Sequence, residues 1–421
     1  MSKLLIIGYV WPEPNSSAAG KHMMDIILPF HQAGWDITFA TPAADSSNKF
    51  DLSSLGIHEK EIELNSNSFD QWLETLQPDV VIFDRFMMEE QFGWRVNKVC
   101  PAAIRVLDTE DLHFLRQARQ KKLHQKKSGT NETPDHLDNL DLISDNTLRE
   151  LASIYRSDLT LIISREEMGL LDNQFSINQS LLHYYPLLIH ELPEVLNTFD
   201  HRQDFIFVGT MKHAPNLDAV RRLKKALWPK IKENLPGVNL YIVGSYMTEE
   251  VMQMHKPKEG FHVLGHVEDL ETLLMKTRLM LAPLAFGAGI KGKLIEAMQF
   301  GMPSITTGIG AEGITGKDNW PGKVNGSDSA FIDSAVALYN DEPGWKMAQQ
   351  KGFEVLKSKF LYAEHADSLL NRLKSLRQNL DKHRKANVIG QILNLNNMKS
   401  TEYMSRWIEC KNKNSRESGS S

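Results

Sequence analysis

Short apolar runs recur along this chain, separated by segments of helical spacing, and that alternation restricts the fold more than any other feature. Residues 3–7, 36–40, 80–83, 104–107 and 159–163 read as strands, with helices at 21–33 and 68–76 between them. The second half repeats the scheme. Residues 205–208, 238–243, 261–264, 279–284 and 304–307 read as strands, with helices near 217–233, 270–275 and 293–300. Strand and helix in turn predict parallel sheets flanked by helices. A chain of 421 residues is too long for one ordinary core. The expected fold class is therefore α/β, with two doubly wound Rossmann-like domains facing a cleft. The first is placed at residues 1–187 and the second at 204–342, joined by a linker at 188–203 that carries Pro193 and Asn197. Residues 343–380 have helical spacing. The polar tail 381–421 is expected to be loose helix passing into disorder. Residues 122–134, basic and then turn-rich, read as a surface loop.

The densest local signal is residues 283–307, P-L-A-F-G-A-G-I-K-G-K-L-I-E-A-M-Q-F-G-M-P-S-I-T-T. An apolar strand leads into Gly287-Ala288-Gly289-Ile290, and a short helix starts near Lys291. Glycines let backbone amides approach a ligand closely. A helix N-terminus adds partial positive charge, and Lys291 and Lys293 add two full charges. That combination suits a diphosphate. Glu296 shares a helix face with Lys293 and could accept hydrogen bonds from a ribose. The same letters contain a literal G-x-G-x-x-G, Gly287 to Gly292, and a second, Gly308 to Gly313. A dinucleotide site needs that pattern directly after its strand, whereas Pro283 and three further residues intervene here.

These residues resemble glycosyltransferase family 4 (glycosyl transferases group 1), of GT-B fold, in its branch with G-x-G-x-K-x-K-x-x-E-A-M, then G-x-P-x-x-T-T and G-A-E-G. The matching positions run from Gly287 to Met298, then Gly301, Pro303, Thr306, Thr307 and Gly310 to Gly313. The resemblance implies a nucleotide-sugar donor, with Glu296 on the ribose and Lys291 and Lys293 on the diphosphate. It implies transfer with retention at the anomeric carbon, and C-terminal helices (343–380) crossing back to the first domain. Many members carry a Glu where this chain has Ala288. The loop after residues 205–208 brings Lys212, His213 and Asn216, which the resemblance sets near the diphosphate. Gly244 and Val267 fall in loops around the nucleobase. In the first half, Gly20 is expected to offer a free amide, and D-T-E-D-L-H-F-L-R, residues 108–116, marks His113 as a polar group near the sugar or acceptor. Lys293, Lys291 and His113 are thus the catalytic candidates. Glu296, Gly287, Ala288, Gly289, Ile290, Lys212, His213, Asn216, Gly244, Val267 and Gly20 are the donor-binding ones.

Other classes find less support. A net charge of −5 argues against general nucleic-acid binding. Two cysteines, Cys100 and Cys410, provide no disulfide framework and suit a reducing, cytoplasmic setting. No Asp-x-Asp and no zinc-ligand spacing is present, so neither metal nor cofactor is expected beyond the nucleoside-diphosphate sugar itself. The basic run 116–127 is a candidate for peripheral contact with a membrane's inner face, useful for a lipid-linked acceptor; a glycan or small-molecule acceptor is equally open. The expected activity is transfer of a sugar to an acceptor hydroxyl, in surface polysaccharide or glycoconjugate synthesis. The alternatives are a nicotinamide-dependent oxidoreductase and a non-catalytic nucleotide-sugar-binding protein.

Overall fold

A computed structural model describes residues 1–125 and 139–418. Strands β1 (Lys3–Ile7), β2 (Asp36–Thr41), β3 (His58–Glu61), β4 (Val80–Asp84), β5 (Ile104–Asp108), β6 (Leu159–Ile162) and β7 (Leu182–Tyr184) form one sheet. Its order is β3-β2-β1-β4-β5-β6-β7, all parallel. Strands β8 (Gln203–Val208), β9 (Leu240–Val243), β10 (Phe261–Gly265), β11 (Thr277–Ala282), β12 (Ser304–Thr306) and β13 (Gly322–Val324) form the second. Its order is β10-β9-β8-β11-β12-β13, also parallel. The fold class is thus α/β with two doubly wound sheets.

The central strands form because they are apolar on both faces. Leu5, Ile6 and Ile7 are fully buried, as are Phe205, Ile206 and Phe207. Burying one such side chain contributes about 1.5–3 kcal/mol. Strands β3, β7 and β13 carry no apolar run and were not expected. β3 reads His-Glu-Lys-Glu; at a sheet edge it supplies backbone pairing while its side chains stay in water. The helical stretch after β8 spans residues 214–234 with a π turn at Leu223–Leu227. Pro229 lacks the N–H that a regular helix needs at that point, which accounts for the wider turn.

Helix Tyr362–Ala386 lays Leu369, Leu373 and Leu376 onto the first sheet's apolar cluster. In the polar tail, expected as loose helix passing into disorder, residues Val388–Ser418 form one helix. One side of it finds partners on the first domain. Asn387 Nδ2 donates to Tyr155 O at 2.7 Å, and Arg95 Nη2 to Ser405 Oγ at 2.9 Å. A Cβ at Gly390 would lie 2.2 Å from Tyr155 O, so glycine allows the close approach. The stretch read as a loop from 122 begins instead as the end of helix His113–Gln125; residues 126–138 lie outside the described residues. Among the described residues no helix is long and apolar enough to cross a membrane.

In each sheet the strand order reverses once, at β1/β4 and at β8/β11. Open α/β sheets bind ligands outside the carboxyl ends of strands at such a reversal. The loops after β8 and β11 therefore flank the crevice of the second domain, and those after β1, β4 and β5 face it from the first.

Candidate active site

The second-domain wall is assembled from backbone in contact with backbone. A Cβ at Gly244 would lie 2.1 Å from Gly209 O, and one at Gly209 would meet Asn216 Nδ2 at 2.6 Å and Lys293 Nζ at 3.0 Å. Gly244 has a φ of 150°, which L side chains rarely adopt. Glycine at these positions brings the ends of β8 and β9 against the start of helix Gly292–Gln299. Lys293 Nζ donates to Asn216 Oδ1, and Asn216 Nδ2 donates to Thr210 O at 2.9 Å. The ammonium stands 4.6 Å from the centre of the Phe207 ring. Among the described residues no carboxylate pairs with it. Part of the side chain reaches the cleft, but the ammonium sits in the packed wall. Burial, with a smaller push from Lys291, pulls its pKa down to about 7.

Lys291 behaves differently. Its Nζ donates to Gly289 O at 2.5 Å and Ala288 O at 3.1 Å, closing its own loop. Burial lowers its pKa, while Glu312, Glu167 and Asp111 supply opposing negative charge. The glycine loop is held by the first domain. Gly289 N–H donates to Glu167 Oε1 at 2.7 Å, and the same oxygen accepts from Leu112 N–H at 3.2 Å. Burial, then the nearby Asp111, pushes the Glu167 carboxyl up to about 8. Arg119 grips Glu312 with two bonds of 2.6 Å and Gly287 O with one of 2.7 Å. Ala288 packs into the first sheet's apolar cluster. Gly289 has a φ of 64°, and a Cβ there would lie 2.8 Å from Asp111 Cβ. The Gly289 amide, expected on a diphosphate, is thus occupied by a first-domain carboxylate. The Ile290 side chain is buried in a cluster that joins second-domain residues with Ile163 and Leu187 of the first.

The first-domain wall centres on Asp111. It pairs with Arg116, and His113 Nε2 lies 3.6 Å from its Oδ1. Burial holds the His113 imidazole down at about 4, so it is neutral at physiological pH. Glu150 caps this helix, accepting from His113 N–H at 2.9 Å and Phe114 N–H at 2.8 Å. His213 approaches from the other domain. Crowding by the opposing wall, and then the Arg116 charge, hold it at about 4, although much of its surface remains open to water. The carboxyl ends of β4 and β5 bring Asp84, Asp108 and Glu110 within 4.8 Å of one another. No sequence spacing announced that grouping. Its charge is offset by Arg85, 3.5 Å from Asp84, and by the buried His22, 3.4 Å from Asp108. Burial opposes a charge on His22, yet Asp108 outweighs it and raises the pKa to about 9.

Glu296 reaches across the cleft to pair with Lys21 of the first domain. Lys21 is half exposed, at 53%, so the pair contributes only about 0–1 kcal/mol and a sugar hydroxyl can replace it cheaply. Gly20 does not offer a free amide. Its N–H donates to Ser17 Oγ at 3.0 Å, and the missing Cβ makes room for Glu13. Lys212 stacks over Tyr246 at 3.4 Å and points to the cleft rim, while Val267 packs on the second domain's cluster. Replacing Glu296 with Gln should weaken nucleotide binding roughly tenfold or more, since a hydrogen bond to a charged group contributes about 1.5–3 kcal/mol. Calorimetry with the best-binding nucleotide, at unchanged melting temperature, checks this.

The fold therefore brings Lys293, Asn216, Gly244 and Glu296 around one crevice, with His213 near Asp111 and Arg116. It turns Lys291, Gly289 and Ala288 toward the domain boundary. Lys21, Arg119 and Glu167, which complete the boundary, were not singled out from the sequence. Arg119 meets Glu312 across 193 residues of chain, a pairing that no local pattern encodes.

Residues 202–341 match the family model described as glycosyl transferases group 1. No curated protein sequence matches the chain. Among solved structures, the chain is similar to sucrose-phosphate synthase from Thermosynechococcus elongatus (12% identity, TM-score 0.65, covering 89% of this chain and 99% of that one). It is similar to Anabaena HepE in complex with UDP (12%, 0.64, 89% and 100%) and to WaaG, a glycosyltransferase involved in lipopolysaccharide biosynthesis (14%, 0.60, 87% and 98%). Two facing doubly wound domains, likeness to these structures and the matched segment agree on one conclusion: the chain has the GT-B fold, and its second domain, over residues 202–341, matches the glycosyl transferases group 1 model.

Proposed function

We propose that this protein is a retaining glycosyltransferase that moves a sugar from a nucleoside-diphosphate donor to an acceptor hydroxyl without a metal ion. The observation that carries the reading is Lys293: an ammonium in the wall of a glycine-lined crevice, with no carboxylate partner among the described residues and a pKa drawn down to about 7. A cation held there without a counter-ion suits an arriving diphosphate. Glu296 stands on the same helix for the ribose hydroxyls, and Asn216 holds the ammonium in place.

In the reaction, the bond between the anomeric carbon and the diphosphate oxygen breaks and a bond from the acceptor oxygen forms on the same face. The acceptor proton passes to the departing diphosphate. Negative charge grows on that leaving group, and Lys293, preorganised by Asn216, stabilises it. His113 and His213, both held neutral, can donate or accept hydrogen bonds to the sugar without adding charge. The product would enter a polysaccharide or glycoconjugate.

A melting-temperature panel of nucleoside diphosphates, nucleotide sugars and nicotinamide cofactors tests the reading, because a ligand of the folded state raises its stability. The UDP in the HepE complex makes UDP the first choice. Stabilisation by a nucleoside diphosphate and by its sugar is expected; stabilisation by a nicotinamide cofactor alone would favour the oxidoreductase. Turnover of the identified donor should persist after dialysis against excess chelator. Activity that vanishes and returns with Mg²⁺ or Mn²⁺ would assign diphosphate neutralisation to a metal and draw attention to Asp84, Asp108 and Glu110.

A further inference from the structure

Helix Val388–Ser418 uses one side to dock on the first domain and exposes on the other a row of apolar side chains, among which Lys399 and Arg406 also lie. The docking side carries Gly390 and Ser405, both buried, with Glu402 and Glu409 half-buried beside them. Glu402 pairs with Lys98 at 3.2 Å, and Glu409 accepts from Asn67 N–H at 3.3 Å. The opposite side exposes Val388 (60%), Ile392 (52%), Leu395 (65%) and Tyr403 (68%), with Ile389 and Trp407 (59%) along one edge. At 3.6 residues per turn these form one stripe, and from Val388 to Trp407 it runs about 28 Å. A solvated helix of a soluble domain has no reason to carry six large apolar side chains on its outer face.

The charges on this helix identify what covers the stripe. Among its described side chains both acids turn toward the protein, Glu402 taking Arg406 of the same helix at 2.5 Å as well as Lys98, and the charges left on the exposed side, Lys399, the half-exposed Arg406 and Lys411 over the Trp407 ring, are positive. A second copy seated face to face would bring these cations against one another. A flat anionic surface meets both features, with apolar side chains entering the acyl boundary, Tyr403 and Trp407 at headgroup depth, and the cations on the phosphates. Most of the described cations in the other basic runs are engaged by the protein itself. Arg116 and Arg119 turn inward to Asp111, Glu312 and Gly287, and Arg221, Arg222 and Lys224 are paired with Glu250, Asp328 and Glu259. We propose that the Val388–Ser418 helix docks this protein on an anionic lipid surface by its outward apolar stripe.

Full-length protein should sediment with phosphatidylglycerol-rich vesicles at low salt, be released by high salt, and ignore pure phosphatidylcholine. The double variant Ile392→Glu, Trp407→Glu should reduce binding roughly tenfold or more. Lys399→Glu, which touches no packing, should weaken binding about fivefold or more. A polarity-sensitive dye gives a second readout. Of the two cysteines Cys100 is buried and Cys410 exposed, and Cys410 lies five turns along from Ile392 on the same line of the stripe. Its emission should shift to the blue on these vesicles. Absence of vesicle binding at low salt, or binding that both variants leave intact, overturns the proposal. A dimer in light scattering that the double variant converts to monomer would also overturn it and assign the stripe to a second copy.

Discussion

Replacing Lys293 with Ala is expected to lower turnover by about 10²–10³ while changing nucleotide-sugar affinity far less. The two effects separate because charge on the leaving diphosphate grows only as the anomeric bond breaks. An interaction that strengthens in the transition state is read in kcat; one equal in both states is read in KM. Lys293 is suited to the first role, since Asn216 fixes its ammonium before any ligand arrives. Lys291 is poorly placed to substitute, because two carbonyls of its own loop already hold its ammonium. Single-turnover rates at saturating donor give the answer. A rate within about threefold of wild type, roughly 0.65 kcal/mol, would make Lys293 a bystander.

The affinity of the wild-type protein for a nucleoside diphosphate should fall about tenfold per pH unit above pH 7. The sign follows from the buried lysine. In the unliganded protein Lys293 loses its proton at about pH 7, and a bound diphosphate favours the protonated form. Binding above pH 7 therefore takes up a proton, and below pH 7 this group adds no dependence. Calorimetry at pH 8 in buffers of contrasting ionisation enthalpy should register an uptake approaching one proton. Lys293→Ala should abolish that uptake, and an uptake that survives the substitution would locate it elsewhere. Stability without ligand runs the other way. Between pH 7 and 10.5 the unfolded chain holds the lysine's proton and the folded one does not, so this group's penalty on folding is full below pH 7 and fades as pH rises through that window.

The sheets were legible in the sequence wherever strands are buried on both faces. Residues 3–7 and 80–83 announce themselves as unbroken apolar runs and become β1 and β4. β3 and β13 did not, because an edge strand contributes hydrogen bonds that any residue can make. The turn and short helix that carry Lys293 and Glu296 were legible as well. Gly287, Lys293 and Glu296 lie close together in sequence, so turn, charge and helix face can be counted off. What the letters left out is everything that one domain does to the other. Glycine at 289 suggested an open amide for a ligand, but the amide faces Glu167, 122 residues away. Glycine at 20 suggested the same and instead leaves room for Glu13. A glycine states that space is needed, not who fills it. In the tail, composition left open how far the expected helix would run. Asn, Lys and Ser imply disorder only when no surface offers them partners, and the first domain offers Arg95 and Tyr155.

The position of Ala288 in the first sheet's apolar cluster bears on how proteins of this architecture can be recombined. The loop belongs to the second domain by chain order, yet its tip, its amide and its carbonyl are shaped by Leu112, Glu167 and Arg119 of the first. The two halves are therefore not independent cartridges. A chimera that imports a new second domain keeps its loop conformation only if it also imports the foreign residues against which that loop was moulded. The shape of this loop is a property of the seam as much as of either side.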